Sequence, residues 1–75
     1  MDVDTLLELS NMRRRLPEPA IRRMLRDRAQ LSQADVAAAV GVDRATVSRW
    51  ESGTREPRGD RLTTYVAILD RLARS

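Results

Sequence analysis

Helix start and stop signals in the middle of the chain leave room for two short helices and almost nothing between them. The signals are two residues that cap helix N-termini and two glycines that end helices: Ser32, Asp43, Gly41 and Gly53. Asp35 stands three residues after the first of these, which makes a capping box with Asp in place of the usual Glu or Gln. The pattern predicts one helix over residues 33–40, a tight turn, and a second helix over residues 44–52.

Apolar residues recur at helical spacing on both sides of this pair. Three further helices are predicted, with these approximate bounds: residues 5–15 capped by Asp4, residues 18–29, and residues 61–73 capped by Asp60. Pro17 and Pro19 separate the first two helices, and residues 54–59 form a loop. Strand-like alternation is absent, so we predict an all-α fold. It is a compact five-helix bundle, with a helical extension over residues 1–16 and one domain over residues 17–75.

The chain has 75 residues and contains neither cysteine nor histidine. A chain of this length buries about two-thirds of its unfolded surface, and no disulfide or thiolate metal site supports it. Apolar residues must supply the core; in the second helix Ile21, Met24 and Leu25 lie on one face. The commonest general base and zinc ligand are lacking, and no Gly-rich phosphate loop or nucleophile beside a base occurs. We therefore expect no enzyme activity, metal, cofactor or small-molecule ligand.

No apolar run approaches the roughly 18–20 residues that a membrane span requires, and no signal-peptide segment is present. We therefore expect a soluble protein that does not bind membranes. Its expected location is the cytoplasm of a bacterial cell or of a phage-infected host.

All fourteen basic residues are arginine, and the net charge is +3. Arginine suits phosphate groups and guanine edges better than lysine does, but a GC-rich genome would also produce a lysine-free chain. The distribution is more informative: residues 1–10 carry three acids and no base, whereas residues 13–28 carry seven arginines against Glu18 and Asp27. Such a one-sided distribution is typical of a domain that binds a polyanion. The run at residues 13–15 is either an arm that contacts nucleic acid or a solvated run at a helix C-terminus.

The two short helices have the layout of a helix-turn-helix. Ala37 is small where the helices would cross, and Gly41 permits the left-handed backbone that turns the chain. Val47 would fill the gap between the helices. Winding the second helix at about 100° per residue puts Thr46, Val47 and Trp50 on an inner face that packs in the core.

The opposite face of the second helix is polar and basic. It carries two long donors, two hydroxyls and one small residue: Arg44, Arg49, Ser48, Ser52 and Ala45. These are the side chains that a helix needs to contact base edges in a DNA major groove. The sequence therefore predicts that this helix recognises double-stranded DNA.

From Ile21 to Leu69 the chain resembles the lambda-repressor and Cro-like (XRE-type) family of helix-turn-helix DNA-binding domains. The matching motifs are Leu31-Ser32-Gln33, Val36-Ala37, Gly41-Val42 and the run from Thr46 to Gly53, followed by Pro57. The resemblance implies a lambda-repressor-like fold with an extra N-terminal helix. Two features depart from the family pattern. The loop at residues 57–60 lacks the apolar residue often found near position 59, and residues 1–16 lie outside the family's core.

The resemblance also implies roles for individual residues. The residues implied to face base edges are Arg44, Ala45, Ser48 and Arg49, and those implied to hold the DNA backbone are Gln33, Arg55 and Arg58. Gln33 would in addition brace the recognition helix, residues 44–52. Arg26 and Glu51 match a pair that forms an internal salt bridge in this family.

The last helix is apolar over more of its width than one core-facing stripe requires. Something must cover the side that carries Tyr65, Ile68 and Leu72. The candidates are a second copy of the chain or the apolar residues of the first helix, which are Leu6, Leu9 and Met12. We expect the first helix to fold back in the free protein, with a homodimer that is weak or completed on DNA.

The leading interpretation is a sequence-specific DNA-binding transcriptional regulator, either a repressor or a Cro-like switch protein. Two alternatives stay open. An antitoxin would use the same motif to regulate its own gene and would also bind a toxin. A protein-interaction module would retain the fold without DNA binding, but the outward Arg44 and Arg49 argue against it, because an adaptor surface there is more often apolar or acidic.

Overall fold

The computed structural model describes all 75 residues and contains five helices and no strands. In chain order the helices are α1 (Val3–Arg15), α2 (Pro19–Arg28), α3 (Gln33–Val40), α4 (Arg44–Ser52) and α5 (Gly59–Ala73). The predicted all-α, five-helix fold is confirmed, and the bounds of α3 and α4 are those predicted. None of the helices is long and apolar enough to cross a membrane.

The turn between α3 and α4 depends on Gly41. Its φ of 88° lies in the left-handed region, where a residue with a Cβ would be strained. The N–H groups of Gly41 and Val42 both donate to the Ala37 carbonyl, at 2.8 and 3.0 Å, which ends α3. Helix α4 begins after Asp43, whose carboxylate accepts hydrogen bonds from the hydroxyl and the N–H of Thr46. Because these bonds favour the charged form, the pKa of Asp43 lies below its usual value.

The caps predicted for the first and last helices are wrong. Helix α1 is capped by Asp2, whose carboxylate accepts the Thr5 N–H at 2.8 Å, and Asp4 lies inside the first turn. Helix α5 follows Arg58 without a side-chain cap, and Asp60 also lies inside the first turn. An acidic residue is favourable both before a helix and in its first turn, so the residue type alone did not distinguish the two places.

The core lies where α2, α3, α4 and α5 meet. Its central cluster consists of Leu25, Val36, Ala37, Val47, Trp50, Tyr65 and Leu69. Val47 is fully buried and Ala37 nearly so, as the close crossing of α3 and α4 requires. The ring centroids of Trp50 and Tyr65 lie 4.7 Å apart. Tyr65 is therefore covered by the core itself, which corrects the expectation that it needs a cover from outside.

The buried face of α2 differs from the face that its apolar residues share. Leu25 is buried, but Ile21 and Met24 are 41% and 47% exposed. Arg22 and Arg26 are buried instead, at 4% and 9% exposure. Both arginines pair with carboxylates from other parts of the chain, and a charge can be buried only when it is paired in this way. The basic segment at residues 13–28 is therefore partly internal, and two of its seven arginines are not available to a polyanion.

Helix α1 lies against α5 and contributes no buried residue. Leu9 and Met12 are half-buried, whereas Leu6 remains 53% exposed. An ion pair between Arg15 and Asp70 joins the two helices. The first helix thus folds back onto the last helix, as expected, but its own apolar residues are only partly covered.

Candidate nucleic-acid interface

The outer face of α4 presents two guanidinium groups with small side chains between them. Arg44 and Arg49 are exposed, while Ala45 and Ser48 are half-buried. Ser52 ends this face, and its hydroxyl donates to the Arg49 carbonyl at 3.1 Å. Small residues in the centre allow the helix to approach a base pair closely, and the long arginines can reach base edges on either side.

The inner face of α4 fixes the orientation of the helix. Val47 is fully buried and Trp50 is 3% exposed, so both side chains are enclosed by the core. Thr46, which the helical phase assigned to the core, is only half-buried. Its hydroxyl donates to the Asp43 carboxylate at 2.6 Å. Because this capping contact satisfies the hydroxyl at the helix start, Thr46 stays at the rim instead of entering the apolar interior.

A chain of hydrogen bonds runs from the start of α4 through α3 to the end of α4. Nη1 of Arg44 donates to Oε1 of Gln33 at 3.1 Å, and Nε2 of Gln33 donates to Oε1 of Glu51 at 3.2 Å. Gln33 thus contacts residues near both ends of α4. Its amide nitrogen keeps one further N–H that could donate to an external acceptor.

The salt bridge expected between Arg26 and Glu51 is present. Nε and Nη2 of Arg26 donate to the two carboxylate oxygens of Glu51, at 2.6 and 2.9 Å. The two side chains are only 10% and 4% exposed. Nη1 of Arg26 also donates to the Leu31 carbonyl at 2.8 Å. The bonds with Glu51 stabilise the charged guanidinium and raise the pKa of Arg26.

The loop at residues 53–58 follows α4 and is held close to the rest of the molecule. Gly53 has a φ of 78°, and a Cβ added there would lie 3.3 Å from Cγ of Pro19. The N–H groups of the two residues after Gly53 donate to the Arg49 carbonyl, at 3.0 and 3.3 Å. Pro57 is fully buried. These contacts give the loop a defined path beside the recognition helix.

A groove opens between α4 and the first turn of α5. Its lining consists of four arginines and four other residues: Arg49, Arg55, Arg58 and Arg61, with Thr46, Trp50, Glu56 and Pro57. None of these four arginines forms an ion pair within the chain. A concave surface with several unpaired positive charges attracts anions. The groove brings Arg49 together with the two loop arginines predicted to hold the DNA backbone, whereas Arg44 lies outside it.

Two residues of this region were missed from the sequence. Arg61 lines the groove and stands one helical turn after Arg58, a spacing that could have indicated a shared surface. Arg22 lies below the groove and pairs with Glu56. Its spacing of three and four residues from Leu25 and Arg26 could have placed it on the buried face of α2.

The residue types present suit an anion and base edges rather than a metal ion. No group of three or more His, Cys, Asp or Glu residues is placed to hold a metal. The donors around the groove are guanidinium groups, which bind phosphate oxygens and guanine edges with two parallel hydrogen bonds. The surface formed by α4 and the loop can therefore contact both the phosphate backbone and the base edges of a nucleic acid.

Comparison with known proteins agrees with this geometry. A family model described as helix-turn-helix matches residues 23–72, which are 50 of the 75 residues. None of the curated proteins and none of the solved structures matches the chain. The matched segment extends from within α2 to the last turn of α5 and leaves out α1.

Proposed function

The chain belongs to the Cro/C1-type helix-turn-helix family, and on this premise we propose that it is a sequence-specific, DNA-binding regulator of transcription. Helix α4 enters the major groove of double-stranded DNA. The observation that supports this most directly is its outer face, where exposed Arg44 and Arg49 flank half-buried Ala45 and Ser48. Because the inner face of α4 is fixed in the core, the helix and the direction of its outer face are set before DNA binds.

The arginines of this surface have two roles. Arg44 and Arg49 project from the recognition helix and contact base edges, where each can form a bidentate contact with guanine. Arg55 and Arg58 belong to the loop and contact phosphates, which carry no sequence information directly. Gln33 adds a phosphate contact from the start of α3. This division is supported by the position of each side chain on the helix or on the loop.

The protein regulates by occupying its site, as a repressor or a Cro-like switch protein does. Two copies bind the two halves of a palindromic site, and the dimer is weak in solution or completed on DNA. Selection of bound sequences from a random DNA pool would give the site and would show whether it is palindromic.

An antitoxin is the second candidate, and the start of α1 favours it. Four apolar side chains there are between 53% and 84% exposed: Met1, Val3, Leu6 and Leu7. A contiguous exposed apolar patch is typical of a protein contact site. An antitoxin would bind its own operator through α4 and a toxin through this patch. Leu6→Asp would then abolish co-purification of a native partner and leave DNA binding unchanged.

The division between base and backbone contacts provides the test of the main proposal. Arg44→Ala or Arg49→Ala should cost about 1–3 kcal/mol on the selected duplex and relax the preference at one base pair per half-site. Arg55→Ala or Arg58→Ala should weaken binding to all sequences alike and reduce the salt dependence by about one unit per lost contact. Binding isotherms on selected and scrambled duplexes at several salt concentrations measure both effects.

Arg71→Ala is the matched control, because Arg71 is exposed near the end of α5, away from the groove. It removes the same charge and should change binding far less than the four interface variants. Equal losses on both duplexes for all four variants would leave only a non-specific polycation, and the regulator proposal would be wrong.

A further inference from the structure

Arg22 lies beneath the loop at residues 53–58 and donates hydrogen bonds to two backbone carbonyls as well as to its ion-pair partner, Glu56. Its Nε donates to the Pro17 carbonyl at 2.7 Å, and its Nη1 donates to the Trp50 carbonyl at 2.9 Å. Nη1 and Nη2 also donate to the carboxylate of Glu56, at 3.1 and 3.0 Å. A side chain that is 5% exposed thus joins three chain segments: the approach to α2, the end of α4 and the loop.

The contact with Trp50 supplies a hydrogen bond to a backbone carbonyl that has no partner within α4. The last four carbonyls of a helix have no intrahelical partner, and Trp50 belongs to the last turn of α4. The Arg22 guanidinium therefore fixes the end of the recognition helix at the point where the loop departs. Arg26 also joins α2 to α4, but its contacts do not extend to the loop.

The contact with Glu56 places a buried guanidinium against a carboxylate of the groove. Glu56 contributes the one carboxylate in the lining, and its side chain is 44% exposed. A free carboxylate there would repel a phosphate and would compete with it for Arg55 and Arg58. Arg22 donates to both of its oxygens from below, so this carboxylate has a partner inside the chain.

We propose that Arg22 is a positioning residue for DNA backbone binding. It holds the loop against the end of α4 so that Arg55 and Arg58 face the groove, and it neutralises the Glu56 carboxylate. Arg22 itself does not touch DNA. This inference rests on the proposed function, since it assigns a support to the residues that contact phosphates.

The test compares Arg22→Met with the native chain in a double-mutant cycle with Arg55→Ala. Binding is measured on the scrambled duplex at several salt concentrations, at a temperature where circular dichroism shows every variant folded. Arg22→Met should weaken binding about tenfold or more and reduce the salt slope by about one to two units, as the loss of one or both phosphate contacts would. Adding Arg55→Ala to Arg22→Met should then have little further effect. Adding Glu56→Gln to Arg22→Met should recover part of the affinity, because it removes the released charge.

The matched control is the same cycle with Arg44→Ala on the selected duplex, where the two losses should add. If Arg22→Met does not fold, Arg22→Lys replaces it, because lysine keeps the charge but cannot reach all four acceptor oxygens. A folded variant with native affinity, native salt slope and a fully additive Arg55→Ala would overturn the inference. Absence of any preference of the native chain for the selected duplex would instead contradict the proposed function, and the scrambled duplex would still decide the role of Arg22.

Discussion

Arginine–carboxylate pairs join helices in two regions of the molecule, and the two regions differ in how far water reaches the pair. Arg26 and Glu51 link α2 to α4 with side chains that are 10% and 4% exposed. Arg15 and Asp70 link α1 to α5 with side chains that are 47% and 35% exposed. Removing one partner of a buried pair leaves an unpaired buried charge, whereas water replaces the lost partner of an exposed pair. Losing one partner is therefore expected to cost more stability at the contact between α2 and α4 than at the contact between α1 and α5.

The contrast extends to the apolar residues. Helices α2 to α5 share one core and position the surface proposed to bind DNA. Helix α1 contributes no buried side chain, and Leu6 and Leu7 are 53% and 58% exposed. The family match also begins only after α1. We infer that α2 to α5 form the stable unit and that α1 is an added helix on its surface.

The largest expected loss of stability comes from breaking the buried pair between Arg26 and Glu51. Glu51→Ala removes both hydrogen bonds that the buried Arg26 guanidinium donates to Glu51 and leaves it only the exposed Asp27 carboxylate as an ionic partner. It also removes a partner of Gln33. The expected loss is about 3–5 kcal/mol in the free energy of unfolding, measured by urea titration, and DNA binding should weaken as a consequence. Glu51→Gln, which keeps the shape and one acceptor oxygen, should cost less. A loss below about 1 kcal/mol for Glu51→Ala would mean that the pair behaves as an exposed one.

A smaller effect, confined to the core, should appear in alkaline solution. Burial raises the pKa of Tyr65 to about 12 from its usual value of 10.0. Between these pH values the unfolded chain loses the phenol proton and the folded chain keeps it, so stability falls as pH rises. The expected loss is about 2–3 kcal/mol between pH 10 and pH 12, measured by urea titration at each pH.

Tyr65→Phe is the matched control for this pH dependence. The Tyr65 hydroxyl is buried without a hydrogen-bond partner, so its removal should not lower stability at neutral pH. The difference between the two chains should appear only above pH 10. An equal alkaline loss in Tyr65→Phe would show that another group is responsible.

Deleting residues 1–15 should cost less than either change in the core. The deleted helix covers α5 with half-buried Leu9 and Met12. We therefore expect the free energy of unfolding to fall by about 1–2 kcal/mol, as for partial burial of one or two apolar side chains. The shortened chain should stay folded, bind DNA and keep the alkaline transition of Tyr65. Sedimentation of both chains checks the assembly. A tight native dimer that dissociates on deletion would show that α1 is an interface instead.

The smallest effect is expected at the exposed pair. Arg15→Ala should change the free energy of unfolding by about 0–1 kcal/mol, and the difference should shrink further at high salt. Arg14→Ala, which removes a neighbouring exposed charge, is the control. A loss from Arg15→Ala as large as that from Glu51→Ala would remove the distinction between the two regions.

The bounds of α3 and α4, and the turn between them, could be predicted because their signals are local. Ser32 and Asp43 cap N–H groups three residues away, and Gly41 adopts a backbone conformation that its own lack of a Cβ permits. The phase of α4 also placed Val47 and Trp50 inside and Arg44 and Arg49 outside. Such features depend on contacts within about one helical turn, so the sequence by itself determined them.

The partners of the buried arginines were decided only by the tertiary structure. Arg22 lies 28 residues from Trp50 and 34 residues from Glu56 in the chain, so no local pattern joins them. Helical periodicity assigns arginine to the surface and Ile21 and Met24 to the core. It does so because burying an unpaired charge is unfavourable and the pattern contains no information about a distant partner. Once the fold brings a carboxylate and two carbonyls to the same place, a buried guanidinium becomes favourable and the face of α2 changes.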